Sequence, residues 1–432
     1  MARFSIRLEE AGFILVLLHF VLLQLSHRFT YGLSIDEKPV FWLVGLLIGS
    51  GFVYVFACLK VMRCSSYSFS INRTLLLILT VGLILRVSML FSTPMLEDDY
   101  YRYLWDGAVV SQGKNPYAYS PKDIINQQNI PANLSSLALE SGHEVLQRVN
   151  HPELRTIYPP VAQAAFSIAY WIKPWSLNAW RFVLLLGDLC SLGLLMVILK
   201  KLNLSPALIL IFWWNPLYIK EVFNSGHMEG VLVPFLFGLI LFIIYNRHLM
   251  ALICLVLAVG VKLWPVVLLP VLLRPCLSDV KRLFIFLSIF CLLFLGMFWP
   301  VHRAGFDTTS GFIAYGQLWQ MNDSLFTLIF WASRFILHLF ALDIHTSHLV
   351  AKWCGSFYPC LVNSFPKSKD FHRRQRILQT VSWNNCRAFS FESYPVPLVF
   401  YLVSPILSSC TTKCVASAAI PSAFNLLRSF LF

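Results

Sequence analysis

Leu96-Glu97-Asp98-Asp99-Tyr100-Tyr101-Arg102-Tyr103-Leu104-Trp105-Asp106-Gly107 follows directly on an apolar run at 75–92. As a helix, that run is long enough to cross about 30 Å of hydrocarbon. The junction decides the fold, because a chain that leaves a bilayer into acids, a guanidinium and several aromatic rings reads as a membrane span followed by an interfacial or extracytoplasmic segment. The spacing of Tyr100, Tyr103, Leu104 and Gly107 predicts a short amphipathic helix lying at the interface, with Asp98 and Asp99 at its start. Carboxylates beside a guanidinium and ring faces can take a proton from a sugar hydroxyl and hold a phosphate. The competing reading is a solvated loop start with interfacial aromatic anchors.

The rest of the chain agrees with a membrane setting. Of 432 residues, 57% are hydrophobic and only 13% charged, which excludes an ordinary soluble domain and predicts an all-α, polytopic helical bundle of about 8–12 spans. The formal charge of +13 comes mainly from short basic stretches between apolar runs, a positive-inside pattern rather than a nucleic-acid surface. Eleven cysteines contain no C-x-x-C pair, so neither a disulfide framework nor a zinc site is expected from them.

Spans are predicted near 11–25, 40–60 and 75–92, the first as an uncleaved span with a cleaved signal peptide as the alternative. The 60–74 connection, with Lys60, Arg63 and Arg73 and no acid, belongs in the cytosol. An odd number of spans then puts residues 92–155 on the lumenal or extracytoplasmic side, and there eight acids face five bases. The sequon Asn133-Leu134-Ser135 is compatible with that side. Further apolar runs lie near 161–175, 182–199, 206–222, 230–245, 249–273, 283–301 and 324–342. If two of them are re-entrant or interfacial, Lys200-Lys201 and Arg247 become cytosolic and Ser225-Gly226-His227 faces the lumen, the arrangement favoured here. Residues 1–345 are read as one multi-span unit, with 92–155 as its catalytic loop. Residues 346–432 are read as a divergent or alternative C-terminal segment, a reading that related tails in uninterrupted open frames elsewhere would remove.

Several polar residues stand out within apolar surroundings. Lys220 and Glu221 form a possible interfacial pair; His227 is most simply a satisfied histidine; Lys262 interrupts a long apolar run, with snorkelling as its ordinary explanation. A helix cap accounts for Asp98 or Asp99 individually, for Asp323 and for Ser324.

Taken together, Glu-Asp-Asp-Tyr-Tyr-Arg-Tyr-Leu-Trp-Asp-Gly, Gly113-Lys114-Asn115-Pro116-Tyr117, Thr156-Ile157-Tyr158-Pro159-Pro160-Val161-Ala162-Gln163, Asn215-Pro216-Leu217, Ser225-Gly226-His227, Lys262-Leu263-Trp264-Pro265 and the Trp319 to Asn322 segment resemble multi-span glycosyltransferases of the GT-C fold. They are most similar to the polyprenol-phosphate-mannose-dependent mannosyltransferases. The resemblance covers roughly residues 75–342. It implies transfer of a hexose, mannose above all, from a polyprenyl (dolichyl) phosphate sugar to a glycolipid or lipid-linked glycan acceptor. The expected chemistry is a single inverting displacement, with Asp98 or Asp99 as base. Arg102, His227 and Lys262 are expected to stabilise the departing phosphate, and Tyr100, Trp105, Asp106, Asn115, Tyr158 and Asn322 extend the expected donor and substrate surface. Glu229 stands where relatives tend to carry an aspartate. No metal is required, although the acid pair could hold a divalent ion. The implied location is the endoplasmic reticulum membrane in a eukaryote or the plasma membrane in a bacterium. The alternatives are a transporter or lipid flippase lined by Lys262, His227 and Glu221, and a non-catalytic subunit that retains the fold.

Overall fold

The computed structural model describes residues 7–63, 73–126, 130–140, 144–318, 330–332 and 334–335. Asn322 and the segment 346–432 lie outside the described residues. Every regular element among the described residues is helical: α1 Leu8–Ser26, α2 Val40–Arg63, α3 Arg73–Leu90, α4 Tyr100–Ser111, α5 Pro121–Ile125, α6 Ala132–Glu140, α7 Glu144–Gln147, α8 Pro160–Ile172, α9 Leu177–Lys201, α10 Ile209–Trp213, α11 Pro216–Ile219, α12 Glu229–Ile244, α13 His248–Val261, α14 Leu269–Leu273, α15 Val280–Met297, α16 Trp299–Ala304 and α17 Gly311–Leu318, with intervening tight turns. Five of these, α1, α2, α3, α9 and α15, are long and apolar enough to cross a membrane. The expected all-helical, multi-pass membrane architecture is therefore present.

Named contacts order the bundle. The amide of Thr93 donates to Ser26 Oγ, so α1 and α3 end side by side. Arg181 near the start of α9 donates to the carbonyls of Leu90 and Ser92, which makes α9 antiparallel to α3. The chain then returns through α10 and α11, broken at Asn215-Pro216. Trp213 and Trp214 bond Leu79 and Ile78 in the middle of α3, and Asn224 reaches Ser92 at its end. Short pieces suit this return: Pro216 cannot donate within a helix, and Asn215 caps the new turn by accepting from the Tyr218 amide at 3.0 Å.

Two apolar runs behave differently from single spans. The run near 161–175 becomes α8, which packs along α4, and Trp175 beyond its end stacks on Trp105. The run near 249–273 breaks at Lys262, where α13 ends in extended backbone and the proline-containing turns of 264–276 lead back. The consequence is the expected distribution of charge. Lys200-Lys201 and Arg247 fall at the same end of the bundle as Lys60 and Arg73, while Ser225-Gly226-His227 and the acids of 97–106 occupy the other end.

A buried ion pair ties the centre. Arg86 Nε donates to Asp188 Oδ2 at 2.5 Å, both side chains fully buried. The guanidinium also bonds the Gly82 and Trp213 carbonyls, and Tyr218 donates to Asp188 Oδ1 at 2.7 Å. Charges in apolar surroundings persist only when paired and hydrogen-bonded, and these are.

Candidate active site

At the acid-bearing end, Leu96 adopts φ +67°, a left-handed conformation that is uncommon for a bulky side chain. It turns the chain between the Met95 amide, held by Asn224 Oδ1 at 3.0 Å, and α4. Glu97, Asp98 and Asp99 follow at half-buried positions. Asp99 occupies the position before the helix, but its carboxylate makes no capping bond; the Tyr158 hydroxyl donates to its Oδ2 at 3.1 Å. Asn150 donates its side-chain amide to Asp98 Oδ1 and lies 3.5 Å from Asp99 Oδ1. The residue after it, His151, is also left-handed at φ +50°. Both chain segments that meet at the Asp98–Asn150 contact thus carry a strained residue.

Burial lifts the Asp98 carboxyl above its ordinary range. The Asn150 hydrogen bond partly opposes that shift, and the neighbouring charges of Asp99 and Glu97 add to it. A carboxylate made more basic in this way is a better proton acceptor.

The rest of α4 is a buried support rather than an interfacial anchor. Residues Tyr101 to Val109 are all buried, since α8 lies against them so closely that a Cβ on Gly107 would collide with the Phe166 carbonyl. Trp105 is 2% exposed and belongs to the core of the loop unit. Arg102, 7% exposed, donates through Nη2 to the carbonyls of Asn150 and His151 at 2.9 and 3.0 Å, so it fixes the strand of loop that carries Asn150. Asp106 accepts from Gln163 Nε2 at 2.8 Å. Burial pushes its carboxyl up to about 6, against the pull of Arg102, Thr156 and Gln163. Asn115 shapes a turn, bonding the Pro300 carbonyl at 2.8 Å and accepting from the Tyr117 amide. Tyr100 is half-buried, its ring 4.2 Å from that of Tyr101.

A second polar group stands at the same end. Gly226, at φ +79°, turns the chain sharply, and its carbonyl accepts from Trp180 Nε1 at 2.6 Å. Next to it, His227 Nδ1 sits 3.0 Å from Glu221 Oε2, and Nε2 sits 3.7 Å from Glu97 Oε2. Burial disfavours charge on this ring, but Glu221 and Glu97 outweigh it and push His227 up to about 10. Lys220 pairs with Glu221 at 3.0 Å. Lys262 does not snorkel; it pairs with Glu229, at the start of α12.

Tyr103 connects the two groups. Its ring stands edge-on to Tyr158 with centroids 4.9 Å apart and stacks on Phe166. Burial raises its phenol well above the ordinary value, with the charges of Tyr158, Asp99 and Glu229 adding to the shift. The acid pair, His227 and Lys262 therefore occupy one end of the bundle.

Asn150 and the Arg86–Asp188 pair escape notice in the sequence. Asn150 carries no local signal, because its role depends on a fold-back from 48 residues beyond Arg102. Arg86 and Asp188 do carry one: each is a lone charge in an apolar run.

A family model described as "Alpha-(1->6)-mannopyranosyltransferase, N-terminal domain" matches residues 25–276, more than half of the chain. No curated protein and no solved structure gives a significant match.

Proposed function

Because the chain belongs to the alpha-(1->6)-mannopyranosyltransferase family, we propose that it moves mannose from a polyprenyl phosphate donor to a glycolipid or lipid-linked glycan acceptor at the acid-bearing end of the bundle. The observation that carries this reading is the pair Asp98 and Asp99. Neither carboxylate caps α4, and both are held in place by Asn150 and Tyr158. A lipid-linked donor enters sideways from the bilayer and the acceptor arrives from the aqueous side, so the reacting atoms meet at this interface.

In this mechanism Asp98, whose carboxyl burial lifts above its ordinary range, takes the acceptor hydroxyl proton as the oxygen attacks the anomeric carbon and the sugar–phosphate bond breaks with inversion. Asp99, fixed by Tyr158, orients the same hydroxyl. Charge grows on the departing phosphate, and Lys262 and His227 lie at the same end to meet it. Arg102 acts one step back, through the backbone that bears Asn150. The membrane is the endoplasmic reticulum or the plasma membrane, according to the cell.

The test uses purified protein in vesicles supplied with radiolabelled polyprenyl phosphate mannose and a mannosyl glycolipid. Labelled glycolipid with release of polyprenyl phosphate is expected. Movement of intact donor across the bilayer with no bond cleavage would replace the enzyme with a flippase.

A further inference from the structure

Four stretches of the chain match the acceptor pattern for asparagine-linked glycosylation, Asn-x-Ser/Thr with no proline at the middle position: Asn72-Arg73-Thr74, Asn133-Leu134-Ser135, Asn203-Leu204-Ser205 and Asn322-Asp323-Ser324. The pattern alone does not choose among them, but the fold separates the first three. Asn203 is exposed and Asn133 only partly so. Exposure by itself would favour Asn203, yet it stands just past Lys200 and Lys201 at the C-terminus of α9, at the basic end of the bundle. Asn72 leads into α3 at that same end. Basic connections stay in the cytosol, away from lumenal transfer enzymes. Asn133 belongs to the loop unit at the acid-bearing end, which the same bias puts in the lumen.

The local structure leaves Asn133 open to a bulky group. Helix α6 buries Leu134, Leu137 and Ala138 in the core that also holds Trp105, Ala108 and Val109. Ala132, Ser136, Leu139 and Glu140 form its exposed face, and Asn133 and Ser135 border that face on either side. Among the described residues no hydrogen bond uses the Asn133 side-chain amide; Ser136 Oγ donates to its backbone carbonyl instead, at 2.9 Å. A substituent on the amide nitrogen therefore breaks no contact.

The order of folding gives access. Residues two apart on a helix do not face each other, so the Asn133 amide and the Ser135 hydroxyl can be read together only while the stretch is extended. A helix as short as α6, nine residues, is marginal until packed. Its partner α4 is held in turn by α8, which follows later in the chain and lies against Gly107. The stretch is open as it emerges, before the loop unit closes. Once folded, Ala108 and Val109 stand roughly 14 Å along α4 from Asp99, at 1.5 Å per residue. A glycan on α6 leaves the acid pair accessible.

We infer that Asn133 is an N-glycan acceptor. Its side-chain nitrogen bonds to the anomeric carbon of an oligosaccharide carried on a polyprenyl diphosphate. The sugar–phosphate bond breaks, the diphosphate leaves with the bonding electrons, and the amide gives up one proton to solvent. A separate membrane transferase catalyses that step, with this chain as its substrate.

The test maps the modification residue by residue. Full-length protein made in cultured eukaryotic cells is treated with peptide N-glycosidase in 18O-water, which turns each glycosylated asparagine into labelled aspartate, and its peptides are read by mass spectrometry. The label is expected at position 133 and not at Asn72 or Asn203, and the peptide reading keeps Asn322 separate. Asn133→Gln and Ser135→Ala are expected to abolish it, whereas Ser135→Thr restores the acceptor pattern and should retain it. Mannosyl transfer by Asn133→Gln should equal that of the wild type. An unlabelled Asn133 in the wild type, or label at Asn203 in its place, overturns the assignment. The label is read without mannosyl donor or acceptor, so an unlabelled Asn133 leaves the transfer reading standing, and absence of transfer leaves the glycan site standing.

Discussion

The Tyr158 hydroxyl donates to Asp99 Oδ2 at 3.1 Å, which ties the first helix after the membrane to the segment that leads into α8. Tyr158→Phe removes this single bond and leaves the aromatic packing with Tyr103 and Phe166. The expected effect is a fall of about fivefold in kcat, the equivalent of roughly 1 kcal/mol for one hydrogen bond. KM for the donor should change little. Steady-state transfer kinetics decide the point, and a pure KM effect would show that Tyr158 binds substrate instead.

Asn150 holds the Asp98 carboxylate in its ionised form. Asn150→Ala should raise the basicity of Asp98 further, because the hydrogen bond now opposes the effect of burial. The acid limb of the kcat/KM profile should therefore move to higher pH in the variant. An unmoved limb with uniformly lower activity would assign Asn150 to loop folding alone.

Asp106 gives the fold a pH dependence of definite sign. Its carboxyl is raised from 3.8 to about 6 in the folded protein, so the folded state binds more protons than the unfolded state between these values. The stabilising contribution is complete below about pH 4 and is lost as pH rises through about 6; ionisation costs about 3 kcal/mol at neutral pH. Asp106→Asn should flatten the stability profile over this window, as followed by thermal unfolding in detergent from pH 4 to 7. A profile as steep as wild type would place the titration elsewhere.

The Arg86–Asp188 pair should show strong coupling. Asp188→Ala leaves a fully buried guanidinium without its counter-ion and should cost about 3 kcal/mol or more. Replacing Arg86, Asp188 and Tyr218 together by Met, Leu and Phe removes the ion pair and the hydroxyl that bonds Asp188. The triple variant should recover most of the loss. Thermal stability no better than that of the single variant would show that the network holds the bundle by more than mutual compensation.

Apolar runs and the basic connections between them made the membrane architecture legible in the sequence, since hydropathy and positive charge follow directly from the bilayer as solvent. They also announced α4 correctly as a helix, but not its burial. Arg102 and Trp105 read as phosphate- and substrate-facing groups because the partner that covers them, α8, looked like a span. Periodicity alone cannot distinguish a helix that crosses from one that lies against a loop unit. Lys262 was visible as an interruption, whereas its partner Glu229 became apparent only through the return of α13 alongside α12. Asn150 illustrates the harder limit: a contact made by long-range fold-back, between two segments that each carry a left-handed residue, leaves no trace in local composition.

The central claim is that Asp98 is the proton acceptor in mannosyl transfer. Its most direct test is single-turnover transfer from polyprenyl phosphate mannose by Asp98→Asn and Asp99→Asn, with donor binding measured on the same preparations. Asp98→Asn is expected to bind donor normally and to slow transfer by about 100-fold or more, with Asp99→Asn less affected. Wild-type transfer by Asp98→Asn would contradict the account.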